Sequence, residues 1–113
     1  MESQLGIFNE YLKERDRNQR LMPGLIAAKN ALTDEAFKEG VLSTKVKRMM
    51  ALAVALRVGC HVCIVGQTKL ALDAGATKGE IFETIGVATA MGGNPALTEA
   101  NKVMKLLEEL GKI

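Results

Sequence analysis

Apolar side chains recur at helical spacing along most of the chain. Leu5, Phe8 and Leu12 stand three and four residues apart and predict a first helix over 4–20. Pro23 suits the first position of a second segment, in which Leu25, Ile26, Ala28 and Leu32 continue an apolar stripe. Thr33, followed by Asp34 and Glu35, predicts another helix start, because threonine caps backbone N–H groups and acids favour the positive end of the helix dipole. Gly40 is expected to close that turn. Ser43 or Thr44 then caps a central helix over 44–58, with Val46, Met49, Met50, Ala53, Val54 and Val58 among its apolar positions. No charge interrupts 49–56, so this helix is either buried on most sides or meets another subunit.

Gly59 ends the central helix, and the next runs from Cys60 to Ala74 with Gly75 as its stop. Thr77-Lys78-Gly79-Glu80 is a capping box that opens a helix to Met91, with Ile81, Ile85 and Ala88 on its apolar face. Gly86 inside that helix costs about 1 kcal/mol relative to alanine, which predicts close helix packing there. Asn94 as N-cap and Pro95 behind it open a last helix bearing Leu97, Val103, Leu106, Leu107 and Leu110. There is no repeat, linker or low-complexity tract, and 1–113 reads as one all-α domain.

Composition agrees with the pattern. Aromatic residues are 4% of the chain and tryptophan is absent, so Leu, Ile, Val, Ala and Met must fill the core. The methionines read as packing rather than as a soft ligand surface. A net charge of +2, without aromatic stacking platforms, gives no argument for nucleic-acid or membrane binding. The mixed run Lys13-Glu14-Arg15-Asp16-Arg17 reads as a solvated helix face. The N-terminus lacks a basic stretch followed by an apolar core, so no signal peptide is expected, and a cytoplasmic location is. There, two close cysteines point to catalysis or metal binding before a structural staple.

Both cysteines and the sole histidine fall within Cys60-His61-Val62-Cys63. Cys60 is expected at or near the N-cap and Cys63 about one turn in, on the same face. Unpaired N–H groups and the positive dipole end favour a thiolate, the form that exchanges disulfides and attacks peroxides. His61 could add charge or move a proton. A redox pair, a metal site and chemically inert cysteines all remain open; two cysteines and one histidine leave a tetrahedral metal site one ligand short. A thioredoxin-like setting is disfavoured because the preceding residues read as helix rather than strand.

Several motifs then occur in order: Leu42-Ser43-Thr44-Lys45, Met50-Ala51-Leu52-Ala53-Val54-Ala55, Gly59-Cys60-His61-Val62-Cys63-Ile64, Gly75-Ala76-Thr77, Glu80-Ile81 and Met91-Gly92-Gly93. This set resembles the superfamily of alkylhydroperoxidase D proteins and carboxymuconolactone decarboxylases, most strongly over 40–95. The resemblance implies an all-helical bundle whose packed hairpin carries the cysteine pair at a helix start. It implies homo-oligomers, commonly trimers or hexamers, and peroxide reduction with a dithiol electron donor and no resident cofactor or metal. By resemblance Cys63 attacks and Cys60 resolves.

Two positions depart from the pattern. Arg48 stands twelve residues before the first cysteine, where the peroxidases have Glu, and Gln67 stands four after the second, where they have His. Neither side chain accepts a proton at neutral pH. Arg48 could stabilise a thiolate by charge; the plainer reading makes both residues ordinary helix surface or interface. Alternatives to a thiol peroxidase are a non-enzymatic oligomeric redox sensor and a decarboxylase-like enzyme.

Overall fold

The apolar stripes resolve into helices alone in the computed structural model, which describes residues 1–113. In chain order these are α1 (Gln4–Leu21), α2 (Pro23–Phe37), α3 (Thr44–Val58), α4 (His61–Asp73), α5 (Lys78–Gly92) and α6 (Asn94–Glu109). Side chains and glycines set most of the boundaries. The Ser43 hydroxyl accepts the Val46 N–H at 3.1 Å and starts α3. Gly59 ends α3 at φ 83°, a left-handed conformation that costs glycine nothing. Thr77 and Glu80 form a reciprocal capping box at α5.

One core joins α3 to α6. Leu52 and Leu56 of α3 meet Ile64 and Ala71 of α4, Ile81 and Ile85 of α5, and Ala100, Val103 and Leu107 of α6. Each buried leucine or isoleucine contributes about 1.5–3 kcal/mol by leaving water. The α3–α4 hairpin is the most extensive helix pairing. α1 lies across α4 and α6, whereas α2 packs on α1 and lightly on α3 and has no buried residue. No helix is long and apolar enough to cross a membrane.

Four expectations are corrected. Thr33 does not start a helix: α2 runs through it, and its hydroxyl donates to the Lys29 carbonyl at 3.0 Å. A threonine that bonds back one turn satisfies itself inside a helix as readily as at a cap. α2 ends at Phe37, whose carbonyl receives the Thr44 hydroxyl at 2.8 Å, so Gly40 lies beyond the helix rather than closing it. Gly93, not Asn94, is the N-cap of α6, which places Asn94 in the first turn without a side-chain cap. Gly86 faces open space, and the tightest approach on α5 is at Gly92, where an added Cβ would stand 2.8 Å from Arg57 Cδ and 3.1 Å from Ala96 Cβ; at Gly66 on α4 it would stand 3.3 Å from Phe8 Cε2.

The second stripe also differs. Leu25 and Leu32 are exposed, and Ile26 is the member turned toward the protein. On α3, Leu52, Ala55 and Leu56 are buried while Met50, Val54 and Val58 form an exposed apolar row on another face.

Candidate active site

Gly59 positions the cysteine pair by stopping α3 with its N–H on the Ala55 carbonyl at 2.8 Å. The chain then turns directly into α4 with Cys60 as N-cap. Cys60 Sγ accepts the Cys63 N–H at 3.3 Å, so the sulfur occupies the place of a capping oxygen. Cys60 and Cys63 are joined by a disulfide, with Cα atoms 5.2 Å apart. When that bond opens, the N–H groups of the first turn and the dipole end stand ready to stabilise negative charge on sulfur. Cys60 is half-buried and Cys63 is exposed.

His61 turns toward α1. Its Nε2 lies 2.6 Å from the side-chain oxygen of Gln4, which is completely buried. Gln4 Nε2 donates to the Glu2 carbonyl at 3.0 Å, which orients the amide and makes its oxygen the acceptor from His61. Nε2 therefore carries a hydrogen, and Nδ1 is the nitrogen left for proton transfer. The Gln4 N–H donates to Glu109 Oε1 at 2.6 Å, and the Ser3 hydroxyl donates to the same carboxylate at 2.6 Å. These bonds hold the start of α1 against both α4 and the end of α6.

Arg48 and Gln67 meet across the α3–α4 seam: Arg48 Nη1 donates to Gln67 Oε1 at 3.3 Å. Arg48 Cζ also stands 3.8 Å from the centre of the Phe37 ring, a cation–π contact. Burial lowers the guanidinium pKa below its ordinary value, and the charge of Asp34 opposes that shift. The group still carries its charge at neutral pH.

Cys63, Gln67 and Arg48 share a cleft of about 670 Å³. α4 contributes Val62, Cys63, Gly66, Gln67 and Leu70, successive positions on one helical face. α1 adds Phe8, Tyr11, Arg15 and Gln19, and α2 adds Ile26, Lys29, Asn30, Thr33, Asp34 and Phe37. Of the residues singled out in the sequence, Cys63, Arg48 and Gln67 come together here; Cys60 joins through sulfur, and His61 is not among the lining residues. The aromatic and cationic wall of α1 and α2 was missed. Its one sequence signal is the spacing of Phe8, Tyr11 and Arg15 along a single helical face. No three His, Cys, Asp or Glu side chains gather in a way that could hold a metal ion.

The model of the carboxymuconolactone decarboxylase family matches residues 23–106. Uncharacterized protein 4 in cox locus, from Paracoccus denitrificans, is 39% identical over 80 residues, which are 71% of this chain and 72% of that protein. An uncharacterized protein of Cupriavidus necator is 30% identical over 88 residues, 78% of each chain. The crystal structure of an apo carboxymuconolactone decarboxylase family protein from Legionella pneumophila superposes with a TM-score of 0.91 at 29% identity, covering 96% of this chain and 97% of that one. A family member from Thermotoga maritima, with a suggested part in an antioxidative response, gives a TM-score of 0.77 at 23% identity over 94% and 96% of the two chains. At that identity it speaks to the fold alone.

Proposed function

The chain belongs to the carboxymuconolactone decarboxylase family, and on that premise we propose that it is a thiol-dependent oxidoreductase that reduces peroxides through a Cys60/Cys63 dithiol–disulfide cycle. The observation that carries this reading is the disulfide at the start of α4, with Cys63 on the wall of a cleft large enough for an organic substrate. The reduced Cys63 thiolate attacks one peroxide oxygen and the O–O bond breaks. The departing oxygen takes a proton and leaves as alcohol or water, and Cys63 becomes a sulfenic acid. Cys60 attacks that sulfur, water leaves, and the disulfide closes. One thiol of an external dithiol then attacks Cys63, and Cys60 departs as a thiolate supported by the Cys63 N–H. The second donor thiol attacks the donor sulfur of that mixed disulfide, which releases Cys63 as a thiolate and leaves the donor as a disulfide.

Arg48 takes the part of a fixed positive charge in this cycle, because neither it nor Gln67 can relay a proton. The result is a peroxidase slower than one with a Glu/His relay. The decisive experiment is hydroperoxide turnover with a dithiol donor. Wild-type protein consumes hydroperoxide, and Cys63→Ser abolishes consumption; unchanged turnover in Cys63→Ser sinks the reading.

A second reading is an oligomeric redox sensor. It is favoured by exposed apolar positions on α3 (Met50, Val54, Val58) and α5 (Phe82, Val87, Met91), which suit a homotrimer or homohexamer. It predicts that reduction changes assembly or partner binding; identical elution of the two redox forms counts against it. A decarboxylase-like activity finds cations on the cleft but no histidine among its lining residues. Lactone turnover by the doubly substituted Cys60→Ser/Cys63→Ser protein would favour it over thiol chemistry.

A further inference from the structure

We propose that the cleft beside Cys63 selects organic hydroperoxides that carry a carboxylate at the far end of a short apolar body, with Arg15 and Lys29 receiving that carboxylate. The proposal rests on the thiol-peroxidase reading and names the substrate class of the same site.

Charge is the first argument. Arg15, Lys29 and Arg48 line the cleft against one carboxylate, Asp34. Arg48 is already engaged by Phe37, Gln67 and the charge of Asp34. The ion pairs of the chain use Lys13, Lys38, Lys45 and Lys102, so Arg15 and Lys29 have none. Two unpaired cations on a partly enclosed cleft of mixed polar and apolar walls create a positive potential that draws in anions. A ligand carboxylate there gains charge-assisted hydrogen bonds.

Position is the second argument. Arg15 and Lys29 each stand seven residues from Met22, the single residue between α1 and α2. Both also border an adjoining hollow of about 270 Å³, together with Tyr11, Ile26 and Asn30. The cations therefore sit where the two spaces share a wall, toward the α1–α2 junction.

Length is the third. Gln4 meets His61 and Phe8 meets Gly66, so α1 and α4 advance in the same sense. Cys63 lies between those two levels of α4. Arg15 lies two turns beyond Phe8, roughly 10 Å further along α1. Tyr11 and Ile26 offer apolar surface along the way. A ligand with its peroxide at Cys63 and its anion at Arg15 and Lys29 has an apolar body of about that length.

The chemistry balances without further components. The hydroperoxide and two thiols give the hydroxy acid, water and the Cys60–Cys63 disulfide, and the dithiol donor restores the thiols. The carboxylate is a handle and takes no part in bond making.

The test compares octanoic acid bearing a terminal hydroperoxide with its methyl ester, using whole protein and a dithiol donor. At low salt the acid is preferred in kcat/KM by about tenfold, the size expected of two partly exposed ion contacts. High salt shrinks that preference. Arg15→Gln/Lys29→Gln brings the ratio close to one. Equal use of acid and ester by wild type, or an unchanged ratio in the double variant, overturns the proposal. A binding arm separates its failure from that of the peroxidase reading. The oxidised protein binds peroxide-free octanoate, and the double variant binds it more weakly. Absence of binding overturns the anionic-ligand claim alone, whereas binding without turnover of any hydroperoxide overturns the peroxidase reading.

Discussion

Arg48 on α3 donates a hydrogen bond to the side-chain oxygen of Gln67 on α4 at 3.3 Å. The two residues that stand where the resembled peroxidase pattern has Glu and His are thus bonded to each other, on the cleft that also holds Cys63. Phe37 braces the guanidinium from the other side. Where the alkylhydroperoxidase D pattern has Glu and His, this chain has a hydrogen-bonded Arg–Gln pair.

Removing that charge raises the cost of a thiolate in the cleft. Arg48→Ala slows alkylation of reduced Cys63 near neutral pH by roughly three- to tenfold, as expected for loss of one partly screened charge. Arg48→Lys recovers only part of the rate, because lysine lacks the planar fork and stacks poorly on Phe37. Peptide-resolved alkylation rates measure both effects; equal rates in all three proteins contradict the role.

Rebuilding the relay has the opposite effect. Arg48→Glu/Gln67→His raises hydroperoxide turnover by on the order of a hundredfold, the low end of what a positioned acid–base group contributes. Steady-state kinetics with one donor and one hydroperoxide compares the proteins directly. No gain would mean that proton transfer does not limit the wild-type cycle.

Gly66 holds the cleft open where α1 crosses α4. Gly66→Val directs its side chain at Phe8 and destabilises the protein by about 1–3 kcal/mol through overpacking. Urea unfolding measures the loss, and ligand affinity of the cleft falls with it. A neutral outcome would show that Phe8 swings away freely.

How far the sequence reached depended on how local each feature is. The placement of the cysteine pair at a helix start was legible because Gly59, Cys60 and Cys63 act within one turn of backbone. The capping box of Thr77 and Glu80 was legible for the same reason. Thr33 and Asn94 misled because cap-forming side chains also satisfy themselves inside a continuing helix or leave the cap to a neighbouring glycine. The cleft was illegible because its far wall is assembled from α1 and α2, and no short-range signal says which helices meet. Arg15 in particular lies in a mixed charge run that is solvent-exposed as its sequence predicts, and only tertiary packing places it at the border of the cleft with Lys29.

Glu109 gives the docking of α1 a defined pH dependence. The Ser3 hydroxyl lowers its pKa below the usual 4.5, the N–H groups of Gln4 and Leu5 and the charge of Lys105 add to that, and desolvation opposes it. The folded protein therefore releases this proton more readily than the unfolded chain. The associated stability is complete above the ordinary carboxylate range and is lost as pH falls through the lowered value. Glu109→Gln consequently melts below wild type at neutral pH, and the difference in Tm shrinks in strong acid. A difference that stays constant with pH would refute the assignment.

The most direct test of the thiol chemistry is the pH dependence of alkylation at each cysteine of the reduced protein. A catalytic pair predicts that Cys63 is alkylated faster than an unperturbed thiol at neutral pH, with a midpoint below the free-thiol value of about 8.5. A Cys63 that titrates at or above that value, with Cys60 equally inert, would contradict a catalytic pair and leave the disulfide a structural clasp at the start of α4.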